Sequence, residues 1–329
     1  MAELKPHAWH DAAWQGLQAQ HAAQRLPHAL LLSGPAGTGK SDFAGALAGL
    51  VLCSAPLDGV ACGACKSCTL WKAETHPDFH RLAPLTDEKS GKTSKVIKID
   101  QVRSLLDVLA KSAQLGGWRV AVINPADALN INAANSLLKT LEEPGDRTLI
   151  ILLTDQPLTL LPTIRSRCRH LSLGIPERRE ALAWLAPQLE PAADAGLLLG
   201  LANGAPLAAL SLSRQEVFRQ REDLAKRLCG VATGRIGPLS AATACAKLPA
   251  EEAWQWLYGL LADVGLMTHD VRTAIKNADL LPIIGQLADT LGSRRALDLQ
   301  ALCLDNQRLL AANIQPGLLW DRFWEQIRG

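Results

Sequence analysis

Eight residues constrain the chain most: Gly34-Pro35-Ala36-Gly37-Thr38-Gly39-Lys40-Ser41 match G-x-x-x-x-G-K-[ST]. Glycines at these spacings let the backbone curl until its N–H groups converge on a phosphate. A helix starting near Lys40 adds the positive end of its dipole. The flanks agree with this reading. Ala29-Leu30-Leu31-Leu32 is a short apolar run ending at the turn, and Phe43, Leu47 and Val51 recur beyond it on one face of a helix. In such a loop Gly34, Gly37, Thr38 and Gly39 wrap the anion, Lys40 reaches the β- and γ-phosphates, and Ser41 offers a hydroxyl to Mg²⁺. ATP or ADP is the expected ligand. A glycine-rich turn that binds nothing is the alternative.

Two further apolar runs, Val120 to Ile123 and Leu149 to Leu153, end in polar residues. They fit parallel strands covered on both faces. Between them Ala133, Ala134, Leu137, Leu138 and Leu141 are spaced for an amphipathic helix. Strands alternating with helices predict a doubly wound α/β domain. After Leu173 the strands stop, and Gly174-Ile175-Pro176 reads as a hinge. From Glu177 onward helical patterns dominate, as in Glu180 to Leu185, Glu251 to Met267 and Arg295 to Leu310. Asn203-Gly204-Ala205-Pro206 separates a small helical piece from a longer helical block. Thr86 to Lys95 is polar and predicts an exposed loop.

A chain of 329 residues is too long for one ordinary core and predicts two or three domains. With 48% hydrophobic and 20% charged residues it can bury those cores, which excludes a disordered chain. A net charge of +2 argues against wholesale attraction to nucleic acid or membranes. No apolar run is long enough to span a bilayer. The first residues, MAELKPHAWHDAAW, lack the apolar stretch of a signal peptide, so a cytoplasmic protein is expected.

Binding a nucleotide is not hydrolysing it. Hydrolysis on this architecture needs an acid at a neighbouring strand end to hold Mg²⁺, and a carboxylate to orient the attacking water. The strand through Val120 to Ile123 runs instead into Asn124-Pro125-Ala126-Asp127. Asn124 can accept a bond from a metal-bound water but carries no charge, and Pro125 can do neither job. Asp127 reads as an N-cap or surface carboxylate.

Cys53, Cys62, Cys65 and Cys68 form C-x8-C-x2-C-x2-C. Thiolates at this spacing wrap one tetrahedral ion, and a closed four-sulfur set favours a structural Zn²⁺. An iron–sulfur centre is the alternative. Four cysteines leave no place for His76 or His80, which read as ordinary loop residues. Cys168, Cys229, Cys245 and Cys303 are scattered and read as small buried residues. Trp254, Trp256, Trp320 and Trp324 read as core residues, with interface anchors as the alternative.

Asn135-Ser136-Leu137-Leu138-Lys139-Thr140-Leu141-Glu142-Glu143-Pro144, followed by Ser166-Arg167-Cys168, resembles the clamp-loader branch of the AAA+ proteins. His76-Pro77-Asp78 and Leu115-Gly116-Gly117-Trp118-Arg119 are similar to the stator-type subunits of the bacterial complexes. The likeness spans roughly residues 25 to 175. It implies a RecA-like AAA+ domain over 1–172 with a zinc module at about 53–68, a helical lid over 173–211 and an all-α collar over 212–329. It implies that Arg167 projects to the γ-phosphate bound by an adjacent subunit, and that Thr154 stands at the first sensor position. A strand-end hydroxyl bonded locally is the alternative for Thr154. Motor subunits of this branch carry Asp-Glu where Asn124-Pro125 stands, and a lid arginine where Leu207 stands, so little or no ATPase is expected. The partners implied are gamma/tau-type ATPases and a delta subunit in a heteropentamer of the DNA polymerase III clamp loader. Through that complex the chain would act on a sliding clamp and primed DNA. An active AAA+ motor and a zinc-containing DNA-binding protein are the rival readings.

Overall fold

The apolar runs become the central strands of a five-stranded parallel sheet in order β2-β3-β4-β1-β5. The computed structural model describes residues 4–86, 94, 96–190, 193–312 and 314–328. Residues 87–93 and 95 of the expected polar loop lie outside the described residues. The chain divides into two compact units, Met1–Glu180 and Ala181–Gly329.

In the first unit the elements run α1 (Asp11–Ala22), β1 (Ala29–Ser33), α2 (Lys40–Leu52), α3 (Lys66–Lys72), β2 (Phe79–Leu82), α4 (Ile99–Leu109), β3 (Arg119–Ile123), α5 (Ile131–Glu142), β4 (Thr148–Thr154), α6 (Pro162–Arg165) and β5 (Arg169–Ser172). Alternation along each central strand feeds two cores. Leu30, Leu32, Val122 and Ile151 pack on one face of the sheet with α2, and Leu31, Ala121, Ile123, Ile150 and Leu152 on the other with α4 and α5. Each fully buried Leu or Ile contributes roughly 1.5–3 kcal/mol of transfer free energy. This sheet and strand order fits a RecA-like AAA+ fold.

Sequence patterning finds the three central strands but not β2 or β5. Both lie at sheet edges, and residues such as His80, Arg81, Arg169 and His170 give them no continuous apolar run. The one-sided helix expected from Lys40 is also corrected. Ten of the thirteen α2 residues are buried, because Ala44, Ala46 and Ala48 let neighbours close in around the whole helix.

The second unit is all-helical after α7 (Arg178–Leu185), whose first turn belongs to the first unit. It contains α8 (Ala195–Leu201), α9 (Pro206–Leu212), α10 (Gln215–Ala232), α11 (Pro238–Cys245), α12 (Ala250–Thr268), α13 (Leu281–Ala311) and α14 (Pro316–Arg328). Helix α13 breaks at Gly292, whose φ of 67° lies outside helical space. Ala181, Leu185, Leu198, Leu199 and Ala209 form one small core, and a separate larger one gathers residues from α10 to α14. Trp254 and Trp320 stack at 4.0 Å between ring centroids, with Phe323 and Trp324 against them. Trp254, Trp320 and Trp324 are fully buried within the chain, so they are core and not interface anchors. No single described helix is long and apolar enough to cross a membrane.

Candidate nucleotide, metal and trans-acting arginine sites

Parallel strand order places the phosphate loop where it is expected. The register sets Ser33 of β1 beside Thr154 of β4, and Gly34 N–H donates to the Thr154 carbonyl at 3.3 Å. The loop, Asn124 and Thr154 thus meet at the carboxyl ends of β1, β3 and β4. Gly34 must be glycine: a Cβ there would lie 2.0 Å from the Leu173 carbonyl oxygen.

Lys40 is buried, and its ammonium has three protein acceptors. It donates to Gly34 O at 2.8 Å and Pro35 O at 2.7 Å, and pairs with Asp155 Oδ1 at 2.6 Å. An ammonium has three N–H donors, so this set is complete. Lys40 reaches inward across its own loop, and an arriving phosphate competes with these oxygens. Sequence reading missed Asp155. Its position directly after a strand-end Thr, beside a phosphate loop, is the signal that could have found it.

The neighbouring polar groups are equally committed. Asn124 Nδ2 donates to Ser41 Oγ at 3.1 Å, the hydroxyl that such loops turn to Mg²⁺. Asp127 is an exposed carboxylate, as expected, but it is engaged. It accepts from Thr154 Oγ1 at 2.7 Å, while the same hydroxyl accepts from the Gln156 N–H at 3.0 Å. Thr154 therefore spans two loops and is not merely bonded within its own. Asp42, in the first turn of α2, pairs with His7 Nε2 at 3.0 Å. Among the described residues, Asp155, Asp127 and Asp42 near the loop each have a cationic or hydrogen-bonding partner. Magnesium asks for octahedral oxygen ligands and normally takes one or two carboxylates. The residues present do not fit it.

An N-terminal arm that patterning did not reveal covers the loop. Trp9 Nε1–H donates to Thr38 O at 2.9 Å, and the His7 ring stacks on Trp9 at 4.4 Å. At Gly39, where φ is 94°, a Cβ would lie 2.6 Å from the His7 ring. His10 is buried edge-on against Phe43, and burial first, then the nearby His7, lowers its pKa to about 4.

Arg167 is half-buried. It lies between α6 and β5, with about a third of its side chain, 32%, open to solvent. Nε donates to Glu142 Oε1 at 2.6 Å, Nη2 bonds the same oxygen, and Nη1 donates to Thr163 O at 3.0 Å. Glu142 ends α5, so the Arg167–Glu142 pair brings the Asn135-to-Pro144 and Ser166-to-Cys168 motifs together. Cys168 beside it is buried.

Cys53, Cys62, Cys65 and Cys68 place their sulfurs within 4.8 Å of one another. Cys53–Cys65 and Cys62–Cys68 are each 3.9 Å apart, close to the edge of a tetrahedron with ~2.3 Å metal–sulfur bonds. Backbone N–H groups of Cys62, Cys65 and Cys68 donate to sulfur at 3.3, 3.4 and 3.4 Å. Such donors favour thiolate. The N–H groups of Ala64 and Cys65 pull the Cys62 thiol down, whereas burial pushes Cys53 up. At Cys65 burial also works against ionisation, yet hydrogen bonds led by Ser54 hold the thiol at about 5. The cluster can hold a metal ion.

His76 is a correction. It is buried and not an ordinary loop residue. Its Nδ1 accepts from the Asp78 N–H at 3.1 Å, so its Nε2–H donates to Ser67 Oγ at 2.6 Å, which in turn donates to Leu52 O at 2.6 Å. Asp78 accepts from the N–H groups of Gln114 and Leu115 at 2.7 and 3.0 Å. Arg119 bonds the carbonyls of Leu109, Lys111 and Asp146. The His76-Pro77-Asp78 and Leu115-to-Arg119 motifs thus tie the cysteine module and α4 to the sheet.

The chain matches a family described as DNA polymerase III, delta subunit, over residues 9–176, and the C-terminal family of that subunit over 215–323. It is 38% identical to DNA polymerase III subunit delta' of Pseudomonas aeruginosa, covering 100% of this chain and 99% of that one. It is 36% identical to the Escherichia coli subunit over 92% of this chain and 87% of that one. The Yersinia pestis subunit is 37% identical over 86% and 83%. With its parallel sheet, phosphate loop, cysteine cluster and helical second unit, the chain belongs to the DNA polymerase III delta-prime subunit family.

Proposed function

We propose that this chain is the stator of a cytoplasmic clamp-loader heteropentamer and lends Arg167 to the ATP of a gamma/tau-type neighbour. The observation that carries this reading is the pairing of Arg167 with Glu142. It fixes a permanent, planar cation at the surface, in a unit whose own loop offers no free carboxylate. A guanidinium suits the role because it bonds two phosphate oxygens at once. Supplied in trans, such an arginine accelerates phosphoryl transfer by about 10³–10⁵-fold. The delta subunit, the sliding clamp and primed DNA are the remaining partners on this reading. Residues 173–211 serve as the lid and 212–329 as the collar, a division supported by the two separate helical cores.

The four cysteines hold Zn²⁺ on this reading, and the ion is structural because four thiolates leave no ligand position for water. Gly34, Gly37, Thr38, Gly39, Lys40 and Ser41 retain ATP or ADP without cleaving it. Reconstitution tests the central claim. Arg167→Ala assembles normally and lowers turnover at the adjoining ATP site by about 10³-fold or more. Unchanged turnover in an intact complex overturns the assignment.

A further inference from the structure

We infer that the phosphate loop takes its nucleotide without a divalent cation, an inference that rests on the reading of this loop as a nucleotide site. The parts that bind phosphate are present: Gly37 and Gly39 at positive φ, the N-terminus of the thirteen-residue α2, and Lys40. The parts that bind the metal are replaced or engaged. Asn124 bonds the Ser41 hydroxyl at 3.1 Å, and either end of a side-chain amide can bond a hydroxyl, so this pairing does not depend on the way the amide faces. Pro125 has no ligand atom in its side chain. Asp155 is held by Lys40 at 2.6 Å, Asp127 by Thr154 at 2.7 Å and Asp42 by His7 at 3.0 Å.

Each of these carboxylates keeps a second oxygen, but each is already drawn on by a partner, and the Lys40 charge beside Asp155 repels a cation there. With Asn124 and Pro125 bringing no charge beside Ser41, the site favours the metal-free polyphosphate, a more anionic species than its magnesium complex. Magnesium in solution acts as a competitor for the phosphate oxygens.

The test is calorimetric titration of the full chain with ADP and with ATP, with and without millimolar Mg²⁺. Divalent ions are removed by resin treatment of the buffer, since a strong chelator would attack the cysteine site. Affinity equal or weaker with Mg²⁺ is the expected result. Asn124→Asp restores a carboxylate beside Ser41 and is expected to reverse the order, giving about tenfold or more tighter binding with Mg²⁺. Wild-type binding that tightens about tenfold or more on adding Mg²⁺ overturns the inference but leaves the loop a nucleotide site. No binding under either condition overturns both. The wild-type comparison needs no variant, so it decides the matter even where Asn124→Asp fails to fold.

Discussion

Lys40 and Arg167 are cations of the same folded unit, and the fold treats them in opposite ways. Lys40 is 8% exposed and satisfied by two carbonyls and a carboxylate of its own chain. Arg167 is 32% exposed and held by one carboxylate and one carbonyl that set its direction without enclosing it. A buried ammonium needs its full complement of partners because desolvation is costly. A guanidinium at the surface stays partly hydrated and can exchange a partner for a phosphate. The lysine of the phosphate loop, the more familiar motif, is thus turned inward, whereas Ser166 and Arg167 reach solvent beside the buried Cys168.

The sharpest way to break this contrast is to remove each cation in the reconstituted complex. Arg167→Ala is expected to lower turnover at the adjoining site by about 10³-fold or more. Lys40→Ala should change clamp loading by less than about twofold, because on this reading its loop performs no chemistry. A large loss from Lys40→Ala, measured as phosphate release on primed DNA, would reverse the comparison.

Opening the cysteine cluster tests whether the two regions are supported independently. A Cβ added at Gly45 or Gly49 of α2 would lie 3.8 or 3.5 Å from the Trp71 ring of α3, so the two helices pack closely there and losing the cysteine clamp should loosen α2 and its loop. Cys65→Ala is expected to cost about 4 kcal/mol, of the order seen when a structural metal or disulfide staple is lost. Hydrogen exchange should rise in α2 and α3 and stay unchanged around Glu142 and Arg167. Equal loosening at both places would show that the regions share one support.

Acid probes the loop side through His10, and His10→Phe isolates its share from those of His21, His76 and His80, whose pKa values burial also lowers. The His10 pKa is lowered from 6.5 to about 4, so the unfolded chain binds the extra proton first. Stability contributed by neutral His10 is complete above pH 6.5 and declines as the pH falls toward 4. The decline amounts to at most about 3 kcal/mol. His10→Phe should flatten that window in a series of denaturant midpoints. An unaltered pH profile removes this role for the buried imidazole.

The smallest effect concerns the aim of Arg167. Glu142→Ala removes the carboxylate that orients the guanidinium, and turnover at the adjoining site should fall only severalfold, since the arginine remains. Glu142→Gln should recover part of the loss, because an amide oxygen still accepts a hydrogen bond. A loss as deep as that of Arg167→Ala would mean that the pair, and not the cation, carries the chemistry.

Much of this was written locally in the chain. Apolar runs placed β1, β3 and β4, the x2 spacing gathered Cys62, Cys65 and Cys68, and glycine positions marked the loop. The edge strands β2 and β5 were silent because polar side chains on a sheet edge carry no burial pattern. The His7–Trp9 arm was silent for a related reason: the single 3-10 turn Ala8–His10 is too short to show a period.

By itself the sequence determined which residues can be strand, loop, helix and metal ligand, since backbone sterics, periodicity and ligand spacing act over a few residues. Only the tertiary structure decided whom the charged and polar groups meet. Asn124 finds Ser41 across 83 positions, and His7 finds Asp42 across 35. Those meetings depend on strand order and register, which bring distant segments within the short reach of a hydrogen bond.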